Sequence, residues 1–480
     1  MGNEYHYNIE LYPEDSRKLI PIELEIPEGT KEIIIKAKLE PEYLTYEESR
    51  KPIIEAIKKY ISQGFEPLDI KDVPQGILEN VIRSFSPLKN VVNFRLIDTE
   101  GSFRGTGDQR FTKGMPIKIG EKESTLGCVA GDIPAGNWKL ILEVKSILKK
   151  SLLNIIVSVN REEKTKISDV TFPYTPVLSE YEEKSGWVKG DFHLHSNHSD
   201  GVFSIENLIK FNIRRGLDFI FLTDHNKISG YQMVKEENYP IWGGMEFTTF
   251  WGHFLGLGIY DYIPLDLINP EDGIKKVSEK VHFQGGIFCI AHPNTIGYPI
   301  CPGCKCELPI DWRYVDAIEV WSGSFNLRSF EITESIKQWR NLLKEHYRIT
   351  AIGSSDMHKA EDITEDVPIN YVYVEELNLE NLINAVKMGR LYITSGPKVE
   401  FSINNKMIGD IVNKEEALIL KYSCEEECDL KIIYNGEEYI KIPSTQKGII
   451  QIRLEDEGYI YLEFWKGKNL KAITNPIYIK

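Results

Sequence analysis

Residues 191–201, Asp-Phe-His-Leu-His-Ser-Asn-His-Ser-Asp-Gly, are dense in side chains that can bind a metal ion. The stretch contains three of the ten histidines of the chain. His193 and His195 are two positions apart, and apolar Phe192 and Leu194 alternate with them. This alternation predicts a strand, in which residues two apart point to the same face, so that both imidazoles could bind one ion. The alternative is a surface strand with two incidental histidines.

The sequence around and after this stretch alternates between strand and helix patterns. Ser204 can begin a helix that ends at Gly216, and an apolar strand follows at residues 219–222. Strand, helix and strand in this order form a βαβ unit. Further strands are predicted at 286–290 and 350–353. The apolar stripes of two further helices lie at Ile336, Trp339 and Leu343 and at Leu382, Ile383 and Val386. The pattern favours an α/β barrel or a doubly wound sheet.

Metal-type side chains recur in six segments of this region, mostly at the ends of predicted strands. They are His193, His195, Asp200, His225, Glu246, His253, His292, Asp356 and His358. The carboxyl ends of parallel strands form the active-site face of α/β folds. A single histidine is more often a satisfied core or surface residue, but this repetition predicts a metal centre.

Period-two alternation before and after the α/β region predicts β-rich flanking domains. An apolar helical stripe over 47–63 interrupts the first of them. We expect an N-terminal β-sandwich-like domain with a helical insertion at 1–178, a catalytic domain at 186–396 and a small C-terminal β domain at 397–480. The charged tract 179–184 is the predicted linker.

Composition limits the classes of function. The formal net charge is −15, which disfavours nucleic acid or an anionic membrane as the main partner, although a small anionic substrate remains compatible. No apolar window is long enough to cross a bilayer, and residues 1–8 lack the apolar core of a signal peptide. The seven cysteines do not form a secreted disulfide pattern. We therefore expect a cytoplasmic protein.

The motifs closely resemble the PHP (polymerase and histidinol phosphatase) family of metallohydrolases over about residues 186–396. The matching pieces are His193-Leu194-His195 with Ser199-Asp200-Gly201, Thr223-Asp224-His225, Gly244-Met245-Glu246, His253-Phe254-Leu255-Gly256, Ala291-His292-Pro293 and Ser355-Asp356-Met357-His358. The resemblance implies a distorted (β/α)7 barrel with two or three divalent ions. Mixed imidazole and carboxylate ligation suits Zn²⁺, Mn²⁺ or Fe.

The resemblance also implies an assignment of ligands. His193, His195 and Asp356 would bind a first metal, and Glu246 would bridge it to a second. The remaining ligands would be His253 and His292 for the second ion and Asp200, His225 and His358 for a third. Two metals about 4 Å apart can share a hydroxide that attacks phosphorus or a carbonyl carbon.

Other residues carry weaker signals. Asp224 could relay protons or orient a ligand, or it could simply accept a hydrogen bond behind the ligands. We expect His198 to be exposed or to face substrate. Arg390 lies in a segment, 389–397, that resembles the carbamate-ester (carbaryl) hydrolase branch of the family. It could contact an anionic substrate or form a structural salt bridge.

The cysteine-rich segment Cys301-Pro302-Gly303-Cys304-Lys305-Cys306 follows one of the metal-binding motifs. Its three thiols could bind a structural zinc or form a redox pair. We favour a tight active-site loop with reduced thiols.

These observations leave three hypotheses for function. The first is a metal-dependent phosphoesterase that acts on a small phosphorylated molecule. The second is a carboxyl or carbamate ester hydrolase. The third is a metal-stabilised binding module without turnover, against which the complete ligand set argues.

Overall fold

The protein is a strand-rich mixed α/β molecule with few helices. The computed structural model describes residues 3–64, 69–107, 116–163, 165, 170–171, 184–228 and 239–480, with only the backbone described at 170–171. Of the linker predicted at 179–184, all but Lys184 lies outside the described residues.

The amino-terminal region forms two four-stranded antiparallel sheets. Its strands are β1 Asn3–Leu11, β2 Lys18–Ile26, β3 Glu32–Glu40, β4 Val91–Ile97, β5 Phe103–Gly107, β6 Ile117–Gly120, β7 Ser124–Thr125, β8 Gly136–Ser146, β9 Ser151–Asn160 and β10 Val170–Thr171. One sheet has the order β1-β9-β3-β6 and the other β2-β8-β4-β5, while β7 and β10 pair separately. The alternating apolar residues of both sheets bury one shared core that includes Phe94, Trp138 and Leu153.

Two helices lie between β3 and β4: α1 Tyr46–Ser62 and α2 Gln75–Ser84. The side chain of Thr45 accepts a hydrogen bond from the Glu48 backbone amide, which caps α1 at its amino end. Ile53 and Ile57 of α1 pack with Ile296 of the later α/β region. The insertion therefore supports a loop of that region.

The central strands are β11 Gly186–Asp191, β12 Phe219–Leu222, β13 Ile241–Thr248, β14 His253–Leu257, β15 Ile287–Ile290, β16 Ala317–Ser322, β17 Thr350–Ser354, β18 Ile369–Val374 and β19 Leu391–Thr394. The helices in the described part of this region are α3 Ile205–Arg214, α4 Lys275–Phe283, α5 Phe325–Lys344 and α6 Leu379–Lys387. Short 3-10 turns occupy Pro13–Asp15, Ile70–Asp72, Leu265–Leu267, Trp312–Tyr314 and Ala360–Asp362. The Ser204 side chain caps α3, as predicted.

The predicted (β/α)7 barrel is not confirmed, because the described strands form no closed barrel. Strand β14 runs antiparallel to both β13 and β15, and β18 pairs antiparallel with β11. Near the end of β17, a single isolated bridge joins Leu194 to Met357. The sheet instead continues through the antiparallel pair β19–β26 into the carboxyl-terminal strands.

The carboxyl-terminal region is entirely β. Its strands are β20 Val399–Ile403, β21 Lys406–Met407, β22 Ile411–Val412, β23 Leu418–Tyr434, β24 Glu437–Ile452, β25 Gly458–Lys466, β26 Asn469–Thr474 and β27 Ile477–Ile479. A turn at Asn435-Gly436 joins β23 to β24, and both of its residues have positive φ. Arg340 of α5 forms a 2.8 Å ion pair with Glu463 of β25, which ties this region to the centre.

The strand predicted to contain His193 and His195 is shorter than expected and ends at Asp191. The Asp191 carboxylate accepts hydrogen bonds from the backbone amides of His193 at 3.4 Å and Ser355 at 3.1 Å. At the end of the strand, these hydrogen bonds to the Asp191 side chain take the place of the regular backbone hydrogen bonds between strands. The histidines therefore follow the strand in an extended segment.

None of the helices in the described part of the chain has both the length and the hydropathy needed to cross a bilayer.

Gly190, in the strand that leads to the histidines, allows a close approach of the sheet. A Cβ atom there would overlap the ring of Phe219, which is fully buried. We expect Gly190→Ala to lower the free energy of unfolding by about 1–3 kcal/mol, because the core must shift to accept it. Urea titration followed by tryptophan fluorescence measures the change.

Gly76→Ala is the matched control, because Gly76 lies in α2 with no atom within 4 Å of an added Cβ. It should be neutral or stabilising by about 0.5–1 kcal/mol, since alanine favours helices. Equal effects of the two substitutions would contradict the close-packing explanation.

Candidate metal centre

The nine predicted ligands converge on one cluster at the ends of the central strands. Three overlapping groups of side chains place their ligand atoms within 4.8 Å of one another. These groups are His193, His195 and Asp356; His193, Glu246 and His292; and His195, Asp200, His225 and His358. His253 also contacts the cluster, through Glu246. Their roles as ligands remain predictions.

Four ligand atoms surround one point at the base of the cluster. The Nε2 atoms of His193 and His195 lie 3.0 Å apart, and Asp356 Oδ1 lies 3.5 and 3.3 Å from them. Glu246 Oε2 lies 3.3 and 3.4 Å from the same two nitrogens. Ligands of a tetrahedral ion with bonds of about 2.0–2.1 Å are roughly 3.3 Å apart, so these atoms fit a divalent cation.

The other carboxylate oxygen of Glu246 faces a second pair of imidazoles. Its Oε1 atom lies 2.8 Å from His253 Nδ1 and 3.2 Å from His292 Nε2. The two oxygens of this buried side chain therefore face different imidazole groups. That arrangement is the one required of a carboxylate that bridges two ions.

Several buried atoms of the cluster have no hydrogen-bond partner among the described residues. They are Glu246 Oε2, both ring nitrogens of His253 and His292 Nδ1. The short contact between His253 Nδ1 and Glu246 Oε1 lacks hydrogen-bond geometry, although the atoms are close. Unsatisfied buried polar atoms are costly, and coordination of cations would satisfy them. The residues present thus fit divalent metal ions.

The third group lies closest to solvent. Asp200 Oδ1 is 3.5 Å from His225 Nε2 and 3.2 Å from His358 Nε2. The His195 ring stacks between His225 and His358, with centroids 4.3 and 4.2 Å away. Asp200 is exposed, so this end of the cluster is open to small molecules.

Two imidazoles and the central carboxylate of the cluster are held in the protonation states that bind metal ions. Burial, aided by His358 and His225, lowers the pKa of His195 to about 4, and burial likewise lowers the pKa of His253 to about 4. Burial alone would raise the pKa of Glu246, but the imidazoles of His225 and His193 hold it well below its usual range. Neutral imidazoles and an ionised carboxylate are the forms that bind metals. At His193, His225, His292 and His358 burial alone would lower the pKa, but nearby carboxylates raise it instead.

Glu319, which the sequence analysis missed, orients two of the ligands from β16. Its Oε1 lies 2.9 Å from His193 Nδ1, and its Oε2 accepts a 2.8 Å hydrogen bond from the His292 backbone amide. A proton on His193 Nδ1 leaves the Nε2 lone pair free to bind an ion. A carboxylate inside the apolar run Ala317-Ile318-Glu319-Val320-Trp321 was the sequence signal.

Two of the proposed ligands sit on backbone of unusual conformation. His292 has φ of 24° and Asp356 has φ of 51°, in the left-handed region that favours glycine. Such residues cost roughly 1–3 kcal/mol each and persist where the surroundings hold them in place. The backbone is therefore strained at His292 and Asp356, two of the proposed ligand positions.

Asp224 lies behind the cluster and holds the loop between two ligand segments. Its carboxylate accepts hydrogen bonds from the Ser196 amide at 2.9 Å, the Ser196 hydroxyl at 2.7 Å and the Ser199 hydroxyl at 2.5 Å. These contacts favour the alternative of a hydrogen-bond acceptor behind the ligands over proton relay. His198 is 3% exposed, which excludes the alternative of an exposed side chain, while its facing substrate stays a prediction.

Among the described residues, the ion-pair partner of Arg390 lies outside the cluster. Its guanidinium forms a 3.1 Å ion pair with Asp410, and Asp410 lines a cavity together with Thr350, the first residue of β17. Asp356 follows the opposite end of that strand. The structure thus places Arg390 in the salt bridge that was the alternative to substrate contact.

The cysteine segment lies beside the cluster, but its thiols are not all reduced. Cys301 and Cys304 form a disulfide, which corrects the expectation of three free thiols, and Cys306 is free. The two paired cysteines are close in a tight turn, where the Cys304 amide donates to the Cys301 carbonyl at 3.2 Å. Cys301 and Pro302 line the same cavity as His225 and His253.

Comparisons with known proteins show short or distant similarities to two bacterial proteins. No family model matches the chain. The DNA polymerase/3'-5' exonuclease PolX of Bacillus subtilis is 43% identical over 42 residues, which are 9% of this chain and 7% of that protein. A solved two-domain protein of Bacteroides vulgatus, described as containing a predicted PHP-like metal-dependent phosphoesterase, is 18% identical with a TM-score of 0.36. That likeness covers 63% of this chain and 100% of the other.

A longer match links the chain to an archaeal protein. The uncharacterized protein MJ1587 of Methanocaldococcus jannaschii is 31% identical over 129 residues, which are 24% of this chain and 71% of that protein. The match covers more than two thirds of the archaeal protein at 31% identity. The chain therefore belongs to the same family as this uncharacterized archaeal protein.

Proposed function

We propose that residues 186–396 form a PHP-type metal centre and that the protein is a metal-dependent phosphoesterase of a small molecule. The observation that carries this proposal is the position of Glu246. Its carboxylate is fully buried, and its two oxygens face separate sets of imidazoles. A carboxylate in this position would help to hold two divalent ions, which would supply the activated water and positive charge used in hydrolysis of a phosphate ester.

In the proposed mechanism, side chains of the protein hold the ions in position, and the ions provide the positive charge. Divalent ions bound here would lower the pKa of water and neutralise the charge that develops on a phosphoryl group. His193, His195 and Asp356 would hold the first ion, and His253 and His292 would hold the second. Asp200, His225 and His358, which group with His195 at the open end of the cluster, would hold a third.

Residues behind the ligands keep the site rigid. Glu319 holds the proton at His193 Nδ1 and anchors the backbone of His292. Asp224 holds Ser196 and Ser199, so the loop between His195 and Asp200 keeps its shape. When the proposed ligands are held rigidly, less free energy is spent on rearranging them during the reaction.

The choice of a phosphate ester rests on charge. A centre with several cations at an open end attracts an anion and stabilises the further negative charge of its transition state. The carbamate hypothesis drew on the segment of Arg390, which pairs with Asp410 instead. We therefore place a small, anionic phosphate ester first and expect no nucleic-acid substrate.

Replacing Glu246 with Gln tests the bridging role. The amide cannot supply two anionic oxygens, so we expect loss of bound metal and a fall in kcat of at least about 100-fold, more than typical effects of groups behind the ligands. Metal content by mass spectrometry and hydrolysis of a phosphomonoester measure these effects.

Glu279→Gln is the control, because Glu279 is exposed on α4 and its ion-pair partner among the described residues is Lys275, at 3.9 Å. It should retain wild-type metal content and rate. Full activity of the Glu246 variant would overturn the bridged mechanism.

The substrate class is decided by assays of the metal-loaded wild-type protein. A phosphomonoester, a phosphodiester and an aryl carbamate should be compared at equal metal content. We expect turnover of a phosphate ester. Faster turnover of the carbamate would support the ester hydrolase instead, and a full metal complement without any turnover would support a binding module.

Replacing Glu319 with Gln tests the orienting role. We expect metal affinity to fall by about 10–100-fold, because the amide no longer sets the tautomer of His193. Competition with a chelator measures the affinity. Glu375→Gln, on an exposed residue, is the control and should bind metal as the wild type does. Unchanged affinity in the Glu319 variant would exclude this role.

A further inference from the structure

A cavity of about 420 Å³ opens beside the proposed metal centre, and the amino-terminal region forms part of its wall. The amino-terminal residues that line it include Asn93, Thr106 and Lys145. On the other side it reaches Asp200, His225 and His253 of the cluster. A molecule bound at the ions would therefore also contact the first β region.

The charged residue of that wall is Lys145, on β8. It is connected to the proposed ligand His225 through one intermediate residue, Thr248. Its ammonium donates a 2.5 Å hydrogen bond to the Thr248 carbonyl. The hydroxyl of the same Thr248 lies 2.5 Å from His225 Nδ1. One residue thus separates the ammonium from the metal cluster, although Lys145 is 4% exposed and comes from a different region of the chain.

The hydrogen bonds of Lys145 are incomplete. An ammonium has three donors, and the bond to Thr248 uses one. Glu143 Oε2 is 3.8 Å away, beyond hydrogen-bond distance, and the ring of Phe250 lies 5.0 Å from the nitrogen. Within the described residues, no other group bonds this ammonium. Two donors therefore remain for a molecule in the cavity.

The charge of Lys145 is also incompletely balanced. The nearest carboxylate, Glu143, forms a closer ion pair of 2.5 Å with buried Arg95. Burial lowers the pKa of Lys145, while Glu143 opposes this effect. Lys227 lines the same cavity and donates to the His198 carbonyl at 2.7 Å. A buried cation near further cations is costly unless an anion joins them.

The wall also offers an acceptor. Asn93 Oδ1 is buried and lacks a hydrogen-bond partner in the described part of the chain. A wholly apolar ligand would leave this atom and the donors of Lys145 unsatisfied. The cavity is thus suited to an anion that accepts from Lys145 and also carries a hydroxyl or amine group able to donate to Asn93 Oδ1.

We propose that Lys145 binds a phosphoryl oxygen of the substrate, which makes the amino-terminal β region part of the substrate site. This inference rests on the proposed phosphoesterase function and names the residue that would select an anionic substrate. Lys145 would contribute mainly to binding, so its loss should raise KM more than it lowers kcat.

Binding of inorganic phosphate to the metal-free and metal-loaded protein, measured by titration calorimetry, tests the proposal without turnover. In Lys145→Met we expect affinity to fall at least about tenfold in both forms, because a charged hydrogen bond is lost. Lys145→Arg should restore most of it. With active enzyme, KM for the phosphomonoester should rise by a similar factor, while a neutral ester is unaffected.

Lys139→Met is the matched control, because Lys139 is exposed on the same strand. It should bind phosphate as the wild type does. Phosphate affinity that is unchanged in a folded Lys145→Met protein would overturn the inference. Phosphate binding that depends on Lys145, without hydrolysis of any substrate, would instead overturn the proposed function and leave the anion site standing.

A crystal structure of the wild-type protein with phosphate provides a test that needs no variant. We expect a phosphate oxygen within hydrogen-bond distance of Lys145 Nζ. Phosphate bound at the ions with Lys145 out of reach would exclude the role, even if the Met variant failed to fold.

Discussion

The burial of one carboxylate, Glu246, is the constraint on which the architecture of the centre depends. An ionised carboxylate out of contact with water is costly unless positive charge surrounds it. Imidazoles of His193, His225 and His253 from three separate segments lie within 3.3 Å of its oxygens. The strands must therefore end at one place, and their ends are held there by side-chain bonds such as those of Asp191 and Glu319.

The amino-terminal region is more than a neighbour of this centre. Its helix α1 carries Tyr60, whose hydroxyl donates a 2.6 Å hydrogen bond to the carbonyl of Asn294, two residues after His292. Its strand β8 places Lys145 against Thr248, next to the cluster. The amino-terminal region thus holds the loop that follows the strained ligand His292. It also supplies part of the wall of the cavity beside the cluster. This arrangement couples the stability of the β region to the shape of the site.

Periodicity and motif spacing were sufficient for much of the local structure. The helix after Ser204 and the strand at 219–222 lie where the sequence predicts them, because capping and apolar spacing are local properties. The nine side chains at successive strand ends do come together. Periodicity did not reveal that β14 runs antiparallel, since alternation is the same in either direction, and the predicted closed barrel was not confirmed.

By itself, the sequence determined which groups are available for chemistry, because imidazoles and carboxylates at strand ends must meet when the strands align. Only the tertiary structure decided which distant groups act with them. Glu319 contacts His193 across 126 residues of chain, and Lys145 contacts Thr248 across 103. Arg390, for which substrate contact and a structural salt bridge were both open, pairs with Asp410. Such pairings depend on how whole sheets pack against one another. A local sequence pattern does not specify which distant residue will contact a buried charged side chain.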